Sequence, residues 1–272
     1  MVMNTVIKNI LVPVDMNAGY VTVIRQAGEL AKQHSATIHL LHMADINACR
    51  RANFPWLISA SLFQKAVEGR SAILQTWKRW LETEYRIRVT ATVEFGGRKK
   101  GVVNMAKSIG ADLIILQEPA FKKKWYAFWN TPVEYIIQES PCQVITFFSE
   151  KKTIAEWKNI VIPVTDFIPE TRIRTIIDIA RIFRYNIHLV TVSAGDLQGH
   201  EQEYHFLTEA LKRLKPSGSL QVECHVLQLS GSLISSFLKY AGSVKADILM
   251  TNMAVVDQDR RRIREMNYFN EY

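Results

Sequence analysis

The chain carries one pattern of residues twice, in the same order. The matched pairs are Lys8–Asp15 with Lys158–Thr165, Ile38–Leu40 with Ile187–Leu189, and Ala111–Leu116 with Ala246–Thr251. Ordered internal matches at a long period predict two copies of one domain of roughly 140 residues each. We therefore expect a first domain over residues 1–148 (the first copy), a linker over 149–157 and a second domain over 158–272 (the second copy).

Apolar periodicity alternates between strands and helices along both copies. In the first copy it predicts strands over Ile7–Val14, Thr37–Met43, Arg88–Glu94, Ala111–Leu116 and Cys142–Phe148, and helices over Tyr20–His34, Ser61–Tyr85, Val102–Ile109 and Thr131–Glu139. In the second it predicts strands over Ile160–Val164, Asn186–Val192, Leu220–Gln228 and Ala246–Met250, and helices over Thr171–Phe183, Glu201–Leu214 and Leu233–Ser243.

Strands that alternate with helices are typical of a parallel sheet with right-handed crossovers. The predicted fold class is α/β, with two tandem three-layer α/β/α domains and mostly parallel five-stranded sheets. The second copy stops before its last helix and fifth strand, so four strands are expected there. Whether Tyr272 is a natural end or a truncation is left open. The first copy's fifth strand then needs another segment or chain to cover its edge.

Composition is that of an ordinary soluble globular protein, with 48% apolar and 22% charged residues. No run approaches the ~18 apolar residues of a membrane helix. The first strand begins too early to leave room for a secretory signal. The three cysteines show no CxxC spacing, which argues against a disulfide framework and fits a reducing compartment. A cytoplasmic location is therefore expected.

Three motifs of the first copy resemble the universal stress protein family in its tandem two-domain form. They are Pro13-Val14-Asp15 closing the first strand, Ala111-Asp112 opening the fourth, and Ser140–Val144 opening the fifth. The resemblance implies ATP binding at the carboxyl ends of the strands in some members. It places an acid near the adenine and ribose, and a G-x2-G-x9-G-[ST] motif near the phosphates. In this chain the implied positions are Pro13, Asp15, Gln117, Ala120, Asn130 and Thr131, and His42 is a further candidate because it follows the second strand at the same edge of the sheet.

The implied nucleotide site is degenerate. Gln117, Ala120 and Asn130 replace the three glycines, and Thr131 keeps the hydroxyl. Gln117 places a long side chain where backbone should approach the phosphates. The base end is retained through Asp15, so the phosphate end is expected to be blocked. No cofactor is expected, with ATP or AMP kept as the alternative.

The second copy is further from the motif. Its candidate positions contain no glycine, and Thr165 replaces the acid, followed by Asp166. The residues after the last strand are Asn252, Val255 and the stretch Asp257–Arg264.

Three basic features have both a functional and a structural interpretation. Phe121–Trp129 is either a basic aromatic surface for an acidic partner or a loop whose aromatic side chains pack while its lysines stay in solvent. Arg98, Lys99 and Lys100 at a helix N-terminus oppose the macrodipole, so they either hold an anion or form a solvated turn. Arg260–Arg264 is either a basic helix face or a tail. The net charge of +8 permits binding to nucleic acid or lipid, but the solvated interpretation is favoured.

Catalytic and metal motifs are missing from the sequence. His200 and His205 are five residues apart, which does not place both on one helix face, so no metal site is expected. His42 follows the second strand and either lines the cleft or is a satisfied buried histidine. No local Ser/His/Asp or Cys/His grouping suggests a catalytic site.

The sequence therefore predicts a stress-response regulatory or binding protein, not a conventional enzyme and at most a weak ATPase. An unknown protein partner or a small ligand is expected, with an internal pseudo-dimer and a possible homodimer. The alternatives are an ATP- or AMP-binding sensor that uses the first copy, and a basic surface binder of nucleic acid or lipid, of which nucleic acid is the less expected.

Overall fold

The computed structural model describes most of both copies. The described residues are 7–15, 20–44, 60–117, 132–148, 158–165, 168, 170–183, 186–193, 200–215, 220–229 and 232–251. The chain divides into two compact units. One comprises Val6–Gln117 with Ser140–Cys142, and the other comprises Met1–Thr5, Glu118–Glu139 and Gln143–Tyr272.

The unit around Val6–Gln117 is a parallel α/β layer structure. Its strands are β1 (Asn9–Pro13), β2 (Thr37–Ala44), β3 (Val89–Phe95) and β4 (Leu113–Gln117), and its helices are α1 (Tyr20–His34), α2 (Ala60–Tyr85) and α3 (Arg98–Ser108). The strand order is β3-β2-β1-β4, and every pairing is parallel. Strand β1 is buried from Ile10 to Pro13 because both faces of its sheet are covered.

The second unit repeats this order and adds one strand. Its strands are β5 (Gln143–Phe147), β6 (Asn159–Pro163), β7 (Asn186–Ser193), β8 (Val222–Gln228) and β9 (Ile248–Thr251), and its helices are α4 (Pro132–Glu139), α5 (Glu170–Phe183), α6 (His200–Leu214) and α7 (Leu233–Ser243). The strand order is β5-β9-β6-β7-β8. The mostly parallel α/β fold class is confirmed.

Strand β5 is covered along one edge, as the sequence predicts. It pairs with β9 in antiparallel register, from Val144 opposite Thr251 to Phe147 opposite Ile248. The backbone N–H of Phe148 continues the pairing by donating to the carbonyl of Asp247 at 3.0 Å. The pairings of β6 with β7, β6 with β9 and β7 with β8 are parallel.

The recurring Ala-Asp motif ties strands together. In the first copy, Asp112 Oδ2 accepts the backbone N–H groups of Lys8 at 2.8 Å and Asn9 at 2.9 Å. The acid before β4 therefore fixes the start of β1, more than 100 residues earlier. The acid of the Ala111-Asp112 motif thus binds the backbone at the start of the Lys8–Asp15 motif.

The second copy reproduces this clamp in a buried setting. Asp247 Oδ2 accepts the N–H groups of Lys158 at 2.7 Å and Asn159 at 3.1 Å. Asp247 is only 2% exposed, so these donors satisfy a carboxylate that is removed from water. The Ala-Asp motif therefore has a structural role in both copies that does not depend on a bound ligand.

Most predicted elements agree with the structure. The helices over Tyr20–His34 and Leu233–Ser243 are confirmed at both ends, and the other described elements differ by a few residues. Ser232 caps the helix over Leu233–Ser243, since its side chain accepts the N–H of Ser235 at 3.1 Å. In the described part of the chain, no helix is long and apolar enough to cross a membrane.

Candidate functional site

The first candidate site lies at the carboxyl end of β1. This strand is flanked by β2 on one side and β4 on the other, so the chain connections diverge there. In open parallel sheets, ligands bind at such a switch point beyond the carboxyl ends of the strands. Pro13 ends β1 opposite Leu41 and is buried, and Asp15 follows two residues later.

His42 holds the end of β1 in place. Its Nδ1 lies 2.9 Å from the carbonyl oxygen of Val14, and because a carbonyl only accepts, Nδ1 carries the proton and donates. The side chain is 7% exposed. Of the two sequence interpretations, the geometry is that of a satisfied buried histidine, which positions the backbone next to Asp15.

Asp15 is held by two side chains, one five residues further along the chain and one 83 residues further along. Arg98 Nη1 forms an ion pair with Asp15 Oδ2, and the Tyr20 hydroxyl donates to the same oxygen at 3.2 Å. Arg98 Nη2 donates to the Tyr20 hydroxyl at 3.0 Å, which closes the set. We call Asp15, Tyr20 and Arg98 the Asp15 triad. Its ion pair has no net charge.

Helix placement explains how the triad forms. Tyr20 opens α1 immediately after the segment that follows Asp15, and Arg98 opens α3 after the glycine turn. Burial raises the pKa of Tyr20 to about 12; Arg98 opposes this rise and Asp15 adds to it. The hydroxyl therefore stays protonated at neutral pH, and it can donate to Asp15 while it accepts from Arg98.

The basic helix start thus has an anionic partner from the protein itself. Gly97 caps α3 without a side-chain bond, and three cations follow it. The carboxylate of Asp15 lies against the first of them, Arg98. This differs from both sequence interpretations, a bound external anion and a solvated turn.

The phosphate end of the site is described only at Gln117. This residue ends β4, is 4% exposed, and has a buried Oε1 without a hydrogen-bond partner in the described part of the chain. Ala120, Asn130 and Thr131, together with the aromatic stretch Phe121–Trp129, lie outside the described residues.

The second copy builds a different arrangement at the equivalent strand ends. Arg172 in α5 is buried, and its Nη2 donates to the carbonyls of Pro163 at 3.0 Å and Met250 at 3.2 Å. Its guanidinium therefore sits between the carboxyl ends of β6 and β9. Burial lowers the pKa of Arg172 to about 9, so it is still charged at neutral pH. Among the described residues no carboxylate pairs with it.

Among the residues of the second copy that the structure describes, the triad has no counterpart. By alignment, Thr165 takes the place of Asp15 and the buried Leu233 that of Arg98. Asp166, Asn252, Val255 and the arginines at 260–264 lie outside the described residues.

The comparisons with known proteins decide the family. The model of the universal stress protein family matches residues 7–147, which is more than half of the 272 residues. The chain belongs to the universal stress protein family. A comparison with curated proteins gives no match.

Solved structures of universal stress proteins share the fold. A universal stress protein from Archaeoglobus fulgidus DSM 4304 is 12% identical, with a TM-score of 0.58 over 89% of this chain and 94% of the other. A putative universal stress protein from Pseudomonas aeruginosa UCBPP-PA14 is 15% identical, with a TM-score of 0.56 over 94% of this chain and 97% of the other. At these identities the likeness shows the fold alone.

A second polar cluster of this universal stress protein was not predicted from the sequence. It joins His188 on β7 with Glu223 and His225 on β8. The only signal was the i, i+2 spacing of Glu223 and His225, which places both on one face of a strand. The register that brings His188 opposite Glu223 comes from the structure.

Proposed function

We propose that this universal stress protein is a non-enzymatic binding and regulatory protein whose first-copy cleft does not hold ATP tightly. The Asp15 triad carries this proposal. In the family resemblance the acid serves the adenine and ribose, but here the carboxylate already accepts from Arg98 and Tyr20. A nucleotide would have to displace a charge-assisted hydrogen bond, of a kind worth roughly 1.5–3 kcal/mol, before it gained its own.

The phosphate end supports the same proposal. Phosphate oxygens need donors, and backbone N–H groups supply them where glycines allow close approach. Gln117 stands at the first glycine position and buries an amide oxygen there, which is an acceptor. A regulatory protein that binds a protein partner or a small uncharged ligand fits these groups better than a nucleotide enzyme does.

We expect ATP and AMP to bind the full chain more weakly than a dissociation constant of about 1 μM, which corresponds to ~8 kcal/mol of binding. The reason is that the carboxylate of Asp15 is already hydrogen-bonded and that other residues replace the glycines expected beside the phosphates. Isothermal titration calorimetry of nucleotide-free protein measures it directly. Tighter binding of either nucleotide would overturn the proposal.

A nucleotide sensor is the second candidate, and one observation favours it. The Asp15 side chain is 41% exposed and that of Arg98 is 31% exposed, so a ligand from solvent can reach both. A moderate rearrangement of Arg98 would free the carboxylate for a base or ribose and leave a cation for a phosphate.

The sensor hypothesis is tested by a matched pair of variants. If any nucleotide binds measurably, Asp15→Ala should cost ~1–3 kcal/mol of affinity through lost hydrogen bonds, and the aligned Thr165→Ala should leave it unchanged. Paired affinities and melting temperatures are the measurements. Equal losses in both variants, or a loss in Asp15→Ala that tracks unfolding, would exclude the β1 cleft as the ligand site.

A further inference from the structure

The polar cluster of the second copy has the shape of a metal site. His188 Nδ1 lies 3.4 Å from His225 Nε2 and 3.5 Å from Glu223 Oε2, and His225 Nε2 lies 3.3 Å from Glu223 Oε2. Three donor atoms thus form a nearly equilateral triangle. Two neutral imidazoles and one carboxylate are a donor set that first-row divalent metals take.

We propose that His188, Glu223 and His225 bind a divalent metal ion of the zinc type. We call these three residues the β7–β8 cluster. In a tetrahedral zinc site with bonds of 2.0–2.1 Å, neighbouring ligand atoms lie about 3.4 Å apart. An octahedral iron or manganese site with similar bonds would need about 3.0 Å. The observed edges of 3.3–3.5 Å match the tetrahedral value.

Strand geometry makes the cluster rigid. Glu223 and His225 are two apart on β8 and so project on one face, while Cys224 between them projects on the other. His188 is opposite Glu223 in the parallel register with β7. The three ligands therefore require no loop to order before a metal binds.

The surroundings leave room for a fourth ligand. Glu223 is 61% exposed on its side chain, so the cluster is open to solvent on that side. On the protein side, the Tyr240 hydroxyl from α7 lies 3.3 Å from His188 Nδ1. From that position the phenol hydroxyl can hydrogen-bond to a metal-bound water.

Burial also limits the affinity. His188 Nε2 is buried and lacks a partner in the described part of the chain. A metal-ligating histidine usually donates its other N–H, and loss of such an outer contact costs about 10- to 100-fold in affinity. We therefore expect roughly micromolar rather than nanomolar binding of Zn²⁺.

The first copy supplies an internal negative control. It retains the histidine as His39, but Thr90 and Thr92 stand where β8 has Glu223 and His225. His39 is instead hydrogen-bonded to Thr90 Oγ1 at 2.9 Å and to Asn9 Oδ1 at 3.2 Å. The same scaffold thus carries the ligand set in one copy and not in the other.

The test is a titration of the metal-free full chain with Zn²⁺, followed by competition against a chromogenic chelator. One saturable site per chain is expected. Glu223→Gln and His225→Ala should each weaken binding by at least about 100-fold, since they remove a ligand rather than an outer contact. His39→Gln in the first copy should bind as the wild type does.

The folding of each variant and the coordination geometry of the bound metal are measured separately. Glu223 is largely exposed, so Glu223→Gln remains informative even if a variant of the buried His188 unfolds, and circular dichroism checks each variant. Substitution with Co²⁺ should give the intense visible bands of a tetrahedral site without a thiolate charge-transfer band. Absence of saturable binding, wild-type affinity in Glu223→Gln and His225→Ala, or an octahedral Co²⁺ spectrum would each overturn the proposal and leave a plain hydrogen-bonded cluster.

Discussion

Replacing Asp247 with alanine is expected to lower the free energy of unfolding of its unit by about 3–5 kcal/mol. The buried carboxylate accepts two backbone N–H groups, from Lys158 and Asn159. Hydrogen bonds to a charged group contribute roughly 1.5–3 kcal/mol each, and the two bonds here are part-buried, so backbone donors left without a partner add some desolvation cost. The start of β6 would lose its anchor.

The matching acid of the first copy, Asp112, provides the control for this experiment. Asp112→Ala removes the same two bonds in the first copy, but this clamp is exposed and water can replace the carboxylate. Its cost should be only about 1–2 kcal/mol. Asp247→Asn should fall between the two variants, because both bonds end on one oxygen, which an amide can also provide.

Urea unfolding gives the stabilities, and hydrogen exchange localises the change. In Asp247→Ala the amides of Lys158 and Asn159 should lose protection first. Equal costs for Asp112→Ala and Asp247→Ala would show that burial does not set the strength of the clamp.

Replacing Arg172 with methionine is expected to raise the free energy of unfolding by about 1–3 kcal/mol. Taking a charge out of water costs several kcal/mol, and exchange of buried ions for apolar groups of similar volume is often stabilising. Two backbone carbonyls lose a donor, at ~1 kcal/mol each, which offsets part of the gain. The depressed pKa of Arg172 reflects the same desolvation.

Arg174, exposed on the same helix, is the matched control. Arg174→Met should change stability by no more than about 0.5 kcal/mol. If Arg172→Met instead lowers the free energy of unfolding by more than about 1 kcal/mol, the hydrogen bonds to the two carbonyls outweigh the desolvation cost of the guanidinium. Arg172 would then stabilise the fold. A higher free energy of unfolding in Arg172→Met would show that the buried charge of Arg172 destabilises the fold. That charge lies at the strand ends, where α/β proteins hold ligands.

Local periodicity predicts most of the fold. The helix over Tyr20–His34 follows from the apolar stripe of Val23, Ala27, Leu30 and Ala31, all of which are buried. Strand β1 follows from an unbroken apolar run. These signals depend only on neighbours in the chain, so a single sequence contains them.

The candidate sites depend on contacts that periodicity does not encode. The Asp15 acid could be predicted from the resemblance, but its partner Arg98 lies 83 residues away. Likewise, His188 and Glu223 meet only because β7 and β8 pair in one particular register, and a shift by one residue would move the ligands to opposite faces.

The pairing of β5 with β9 also sets a delay during synthesis of the chain. Strand β9 begins at Ile248, 101 residues after β5 ends at Phe147. At about 5–20 residues per second, a ribosome needs ~5–20 s to cover that distance. Throughout that interval the edge of Val144–Phe147 that later pairs with β9 has no partner in the nascent chain. The length of the second copy would therefore set how long a holdase chaperone can bind this edge during translation.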